Sequence, residues 1–425
     1  MTTAGPIATM RSALAGRLTV RDPRRPIGAD DLFPAEDGHT APRIARFLAG
    51  DGSPRIGLVL ESVEGLPRRL LDLTARHGLG PGLLGFVAAG GFEIAERELE
   101  RDNDTHRLDH VTLERDELPE RLLSPVDIDA ADIAAGARLV VGFGLTFRAH
   151  RGETGGARPF AFPKPTAPTG ACAPVWAGSD RGAAVGLLDY ELELGCVAFR
   201  DIDLDRLDRV DAATDFGYLI VNDVSARAPI LRDRRRGYAQ AKGRPTYLPA
   251  GPWLVPGTHF TRDAPRLRRM VLTVSEAQGD DGGHGPHTLR QDARLEDLSL
   301  GLAELLRLLS RRRRLSMRGE DGRPWPVTVE RDGRRILPAG SLLLTGTPGG
   351  TAIRSPRAAD QVALVLRSLR YLRWPSEDYR RHLEEHRHVF GFLSSGDRVS
   401  GWITGLGRQE WEVRPSSRVT ARSEP

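Results

Sequence analysis

Glu191 and Glu193 stand two residues apart in DYELELGCVAF, an alternating segment that places Tyr190, Leu192, Leu194 and Cys196 on one face of a strand and the two acids on the other. Two carboxylates on one face repel each other unless a cation lies between them. An isolated E-x-E is ordinarily a solvated surface, so a third acid decides the matter. Asp223 lies in YLIVNDVSAR, where an apolar run carries it toward an interior, and an unpaired buried carboxylate is expensive. Three converging acids would make an oxygen-only site, suited to Mg²⁺, Mn²⁺ or Ca²⁺ rather than to zinc or copper.

His150 and Glu153 are three residues apart, so one helical turn would bring them together and let a carboxylate orient an imidazole acting as base toward water. The chain has 61 basic residues, and only Lys164 and Lys242 are lysine. Arginine is a planar fork with a permanent charge, whereas lysine is a compact ammonium that can approach a single oxygen. A site needing that point charge would resist the bias toward arginine.

The elements that must position these groups are mostly strands. From Pro42 the sequence predicts two short strands joined by Gly-containing turns, then an amphipathic helix starting near Leu66. RLVVGFGLTFRAHRGETGG reads as an apolar strand ending in a polar turn or helical start. AATDFGYLIVNDVSAR is helix-like, RMVLTVSEA is a strand, and EDLSLGLAELLRLLSRRRRLS has helical leucine spacing. GSLLLTGTPGG is a strand entering a Gly/Thr turn, and SSGDRVSGWITGLG is a turn followed by a strand. Many short strands and few long helices favour a β-rich α+β fold over a doubly wound sheet. There is no internal repeat.

The 425 residues can bury a large core and predict two domains. Basic and acidic residues nearly cancel, 61 against 57, so a nucleic-acid partner is not implied. Cys172 and Cys196 cannot make a disulfide framework, and neither belongs to a C-x-x-C pair. No signal peptide or membrane-spanning run is evident, so a cytoplasmic location without a membrane partner is expected. Residues 1–41, rich in Pro, Arg, Asp and Gly, read as a loosely ordered arm, and 413–425 as a tail.

Taken in order, the fragments resemble the fumarylacetoacetate hydrolase family. GLTFRAHRGE is similar to its G-L-N-Y-x-D-H-x-x-E segment, FAFPKPTAP to its F-x-K-P stretch, and DYELEL to its metal-binding D-x-E-x-E-L strand. NDVSAR followed by AKGRPTYLPAGPWLV resembles N-D-x-S-A-R followed by G-K-x-x-x-T-x-x-P-x-G-P. LLLTGTPGGTA is similar to T-G-T-P-x-G, and SSGDRVSGWITGLG to the closing G-D-x-V-x-x-x-I-x-G-L-G. The resemblance implies a β-rich catalytic domain over 136–412, a mixed β-sandwich or roll, behind a smaller N-terminal α+β domain over 42–135. It further implies that Glu191, Glu193 and Asp223 hold one divalent cation, most simply Mg²⁺, with Mn²⁺ or Ca²⁺ as alternatives. By the same resemblance His150, oriented by Glu153, would activate water, and Lys242 and Lys164 would neutralise a departing enolate. Arg227, Thr347 and Gly346 would bind the substrate, a 1,3-dioxo or 2-oxo acid. A homodimer is also implied.

Some residues depart from the family pattern. Thr146, Phe147 and Ala149 stand where Asn, Tyr and Asp are usual, and APILRDRRR after Arg227 lacks a glutamine that some hydrolytic members use. Members that decarboxylate, isomerise or dehydrate 2-oxo acids share the metal-stabilised enolate and remain alternatives, as does a non-catalytic dicarbonyl-binding protein. The segments near 277–337 and 353–393 also depart, and a role in substrate specificity is expected of them. Within the second, His382, Glu385 and His386 spell H-x-x-E-H, the order of a zinc protease helix. The tetra-arginine run at 311–314 raises the separate reading of a nucleic-acid-binding module, which the balanced charge disfavours.

Overall fold

A computed structural model of the protein describes residues 25–26, 41–101, 110–154, 158–178, 186–232, 237–262, 268–278, 283–311, 317–318, 324–353 and 375–415. The expected N-terminal arm and C-terminal tail fall almost wholly outside these residues, as do three of the four arginines of the 311–314 run.

Three sheets carry the architecture. The largest has the order Phe160–Pro163, Val140–Gly144, Leu342–Leu344, Leu192–Ala198, Phe216–Asn222, Pro249–Ala250 and Thr169–Gly170, with Val255–Pro256 also pairing along Phe216–Asn222. Its two central strands, Leu192–Ala198 and Phe216–Asn222, are antiparallel and buried at every residue. A strand covered on both faces loses the apolar–polar alternation, which explains why DFGYLIVN reads as helix-like yet forms a strand. The second sheet runs Arg25–Pro26, Gly283–Arg294, Arg269–Gln278, Arg398–Ile403, Gly407–Arg414 and Val175–Trp176. It meets the first through a shared apolar core, and the buried Gln409 amide donates from Gly407–Arg414 to Ile220 O (3.1 Å) and Pro249 O (2.9 Å) of the first sheet.

The third sheet orders His110–Thr112, Leu66–Asp72, Pro54–Val63, Ile44–Leu48 and Leu122–Leu123. Here the expected helix from Leu66 is corrected. LPRRLLD pairs antiparallel with Pro54–Val63, and a helix of five residues, Leu73–His77, begins only after Asp72 accepts from Ala75 N (2.9 Å) as its N-cap. Leu66, Leu70 and Leu71 imitate helical spacing, but strand pairing on both sides overrides it. This sheet joins the rest by reciprocal main-chain bonds between Ile44 and Leu254 (2.9 and 2.8 Å) and by a clasp of Glu64, Arg115, Arg408 and Glu410.

Candidate metal and substrate site

The site forms where the two central strands of the largest sheet end. The ladder pairs Leu192 with Asn222, so the next residues out, Glu191 and Asp223, lie side by side, joined by Asp223 N donating to Glu191 O (2.8 Å). Asn222 Oδ1 accepts from Glu191 N (3.1 Å), which holds that corner closed. Glu191, Glu193 and Asp223 are all buried, and one oxygen from each lies within 4.8 Å of the others. Sequence order had grouped them; the antiparallel register explains why they meet. Glu193 is fixed from a third strand, since its Oε2 accepts from Gly346 N (2.6 Å) in the turn after Leu342–Leu344. Gly346 has φ +98°, and a Cβ there would sit 1.9 Å from Thr146 Oγ1, so only glycine brings this N–H to the carboxylate.

Both lysines converge on these acids. Lys242, the last residue of the helix Gly237–Lys242, places Nζ 2.7 Å from Glu191 Oε2 and 2.5 Å from Asp223 Oδ2, and 5.0 Å above the Phe162 ring. Burial pulls its ammonium down, but Asp223 and Glu191 outweigh burial and hold it above the usual lysine range. Lys164 is wholly buried just after Phe160–Pro163. Its Nζ lies 2.5 Å from Asp223 Oδ1 and donates to Val224 O and Lys242 O, both at 3.1 Å. Burial draws the Lys164 ammonium below the usual range, against the pull of Asp223. The ion pair and the two carbonyl bonds make Lys164 a brace for Asp223 and for the end of the Lys242 helix.

Arg227 opens the helix Arg227–Arg232 and pairs Nε with Asp189 Oδ2 (2.9 Å) and a terminal nitrogen with Glu191. Asp189 was not singled out in the sequence, although it begins the DYELEL motif. It is completely buried and also accepts from Tyr190 N (2.9 Å), Ala352 N (2.9 Å) and Ile353 N (3.1 Å), so it anchors Arg227 and the turn after TGTPGG together. Burial pushes Glu191 upward, but Arg227, Lys242 and His150 overcome it and hold that carboxyl well below the usual range. Glu193 goes the other way: burial, then Asp223 and Glu191, raise it well above that range. Among the described residues, Glu193 makes no ion pair.

Among the described side chains of the helix Arg148–Thr154, His150 is the buried one, and it lies close enough to Glu191 to act on its charge. Glu153 belongs to the same helix, but its side chain lies outside the described residues. The turn before the helix carries Leu145 at φ +64°, an uncommon conformation for a leucine. Arg151 donates to Leu145 O (3.0 Å) and to Ser299 Oγ (3.1 Å), and Ser299 in turn gives its N–H (2.8 Å) and hydroxyl to Thr146 O. Ser299 thus pins the His150 turn from a distant part of the chain, and nothing local in the sequence announces it. Thr347 follows Gly346 and is likewise buried.

Other candidate chemistry does not assemble. His382 and His386 are neighbours, with ring centroids 4.5 Å apart, but the helix Pro375–Glu385 ends before His386. Among the described residues, the acid triad is the one group of His, Cys, Asp and Glu side chains spaced to hold a metal. Cys172 and Cys196 are free and buried, and burial pushes the Cys172 thiol up to about 12, far from a reactive thiolate.

Among curated proteins, no sequence matches the chain. Among solved structures, it is similar to a fumarylacetoacetate hydrolase from the psychrophile Exiguobacterium antarcticum, at 21% identity and a TM-score of 0.53 over 88% of this chain and 100% of that one. It is also similar to maleylpyruvate hydrolase from Sphingobium sp. SYK-6 in complex with manganese(II) and pyruvate, at 20% identity and a TM-score of 0.50 over the same shares. At such identities the likeness is one of fold. The family profile described as fumarylacetoacetate (FAA) hydrolase C-terminal matches residues 140–414, well over half of the chain and all of the strands that build the site. With its strand-rich α+β architecture, the chain belongs to the fumarylacetoacetate hydrolase family.

Proposed function

We propose that the protein is a divalent-metal-dependent hydrolase that cleaves a carbon–carbon bond in a 1,3-dioxo acid, of which an acylpyruvate is the simplest form. The observation that carries this reading is the buried triad with an acid in excess: Glu193 has two carboxylate neighbours and, among the described residues, no ion pair of its own, with Lys242 only partly offsetting them. Glu191, Glu193 and Asp223 would hold the ion, and an all-oxygen set fits Mg²⁺, with Mn²⁺ or Ca²⁺ chemically compatible. When bound, such an ion supplies Lewis-acid polarisation to adjacent substrate oxygens.

The chain's own residues supply the rest. His150, oriented by Glu153, accepts a proton from water as the water oxygen bonds to the acyl carbon. The carbon–carbon bond then breaks, its electron pair leaves with the pyruvate fragment as an enolate, and the proton returns to the enolate carbon. The products are a carboxylic acid and pyruvate. Lys242, kept as an ammonium by Asp223 and Glu191, offsets the enolate charge. Lys164 holds Asp223 and Lys242 in place, and Arg227 orients Glu191 while its remaining nitrogen faces the substrate. Gly346 and the Thr347 hydroxyl complete the binding wall.

A second reading, a decarboxylase, isomerase or dehydratase acting on a 2-oxo acid at the same site, is favoured by Phe147. Its ring lies in the apolar core, so it offers no polar atom beside the His150 helix to hold a water. A homodimer and a cytoplasmic location belong to the same proposal; no helix among the described residues is long and apolar enough to cross a membrane.

The deciding experiment is metal analysis of the pure protein together with turnover of acylpyruvates, oxaloacetate and 2-oxo-3-deoxy acids at millimolar Mg²⁺ or Mn²⁺. Release of pyruvate and a carboxylic acid is expected. Decarboxylated, isomerised or dehydrated product would move the assignment to the second reading, and failure to bind either metal would end both.

A further inference from the structure

Gln291 lies on the strand Gly283–Arg294 of the second sheet, outside the motifs that carry the family resemblance, and reaches into the first sheet with 1% of its surface exposed. Its amide makes three bonds there. Oε1 accepts from Leu192 N (3.0 Å), while Nε2 donates to Pro348 O (3.0 Å) and to Thr347 Oγ1 (2.8 Å). The two main-chain partners leave no ambiguity about which end of the amide is which, because a main-chain N–H can only donate and a carbonyl can only accept. Thr347 Oγ1 is therefore an acceptor toward Gln291, and its own proton must point elsewhere. Among the described residues its hydroxyl donates to Leu192 O at 3.4 Å, too far for a strong bond.

We infer that Gln291 is a positioning residue that fixes the Thr347 hydroxyl as a donor, so that this wall of the site presents a proton to a carboxylate or carbonyl oxygen of the ligand. The inference rests on the proposed placement of Thr347 against the substrate and adds the chemical class of ligand atom it meets. The same amide ties that turn to Leu192, the residue between Glu191 and Glu193. The oxygen-binding wall and the metal strand are thereby held at one spacing by a single side chain. A buried amide with every bond satisfied tolerates little rearrangement.

The test is a double-mutant cycle on the full-length, Mn²⁺-loaded protein, with oxalate as the probe and calorimetry as the readout. Gln291→Glu replaces the donor by an acceptor and turns the Thr347 proton inward. Oxalate affinity is expected to fall about tenfold, the size of one hydrogen bond to a charged group. Thr347→Val should lose a similar amount, and the two together no more than either alone. Thr347→Ser should restore binding and its dependence on Gln291. Should Gln291→Glu not fold, Gln291→Met removes the same bonds without burying a charge, and coupling to Thr347→Val is still expected. Additive losses, or no oxalate binding by the loaded wild type, would overturn the inference. Absence of acylpyruvate turnover, with the coupling intact, would instead sink the proposed reaction and leave the inference standing.

Discussion

Two of the charge networks that cross between elements of this protein are built to opposite rules. The clasp of Glu64, Arg115, Arg408 and Glu410 sets two acids against two arginines, and each charge has a partner. Its strain is cationic: burial, then Arg115, lowers the Arg408 guanidinium to about 10. The network at the strand ends sets Asp189, Glu191, Glu193 and Asp223 against Arg227, Lys164 and Lys242, and its strain is anionic, concentrated on Glu193. A structural network closes on itself, whereas one that awaits a ligand keeps a charge in reserve. The difference supports the proposed role of the second network as the metal and substrate site.

The largest effect should come from breaking the reserve network at its hub. Asp223→Ala leaves the ammonium groups of Lys164 and Lys242 facing each other without their shared carboxylate. We expect a loss of about 3–5 kcal/mol in chemical denaturation, with no Mn²⁺ binding by calorimetry; a stable variant that still binds metal would erase the distinction between the networks. Glu193→Gln should do the reverse to the metal-free protein, since it replaces a buried carboxyl whose charged form burial and its acidic neighbours disfavour. Stability should hold or rise by about 1 kcal/mol, while metal affinity falls on the order of a hundredfold.

The same carboxyl predicts a pH signature. Because its folded value is raised, the metal-free protein carries a proton there that the unfolded chain has already lost, so stability falls as pH climbs above the ordinary glutamate range toward the folded value. Glu191, held low, gives the opposite sign: its stabilisation is present above the ordinary range and disappears on acidification. A divalent ion displaces the Glu193 proton, so metal affinity should strengthen with pH and the decline in stability should vanish in Mn²⁺. Thermal melts across pH, with and without the ion, check this, and identical slopes would refute it.

Smaller effects follow outside the acids. Ser299→Ala removes the hydroxyl that donates to the Thr146 carbonyl and accepts from Arg151, leaving only the main-chain bond, and should lower kcat about tenfold with KM nearly unchanged, and Ser299→Thr should recover most of it; equal changes in both constants would mean a general loosening. In the clasp, Arg115→Ala should cost about 1 kcal/mol or less, because its side chain is half exposed. Turnover should not change. A large loss of activity there would show that the two networks are coupled.

The site was legible in the sequence to the extent that its residues sit in short ordered motifs. DYELEL and NDVSAR named the acids, and two lysines in an arginine-rich chain marked the cations. The gaps have a common cause. Asp189, Gln291 and Ser299 act through main-chain groups more than thirty positions away, and no local spacing encodes such partners. At the fold level, Leu66–Asp72 misled because its leucines imitate a helical stripe, and Phe216–Asn222 because a strand buried at every residue loses its alternation.

The burial of Lys164 and Lys242 also changes how the folded protein meets amine-directed chemistry. Acylating reagents, which ordinarily decorate a protein surface at random, find no lysine on this one. Any acetyl or fluorophore that appears on either side chain therefore marks a moment when the strand ends had parted, and the rate of its appearance times that opening.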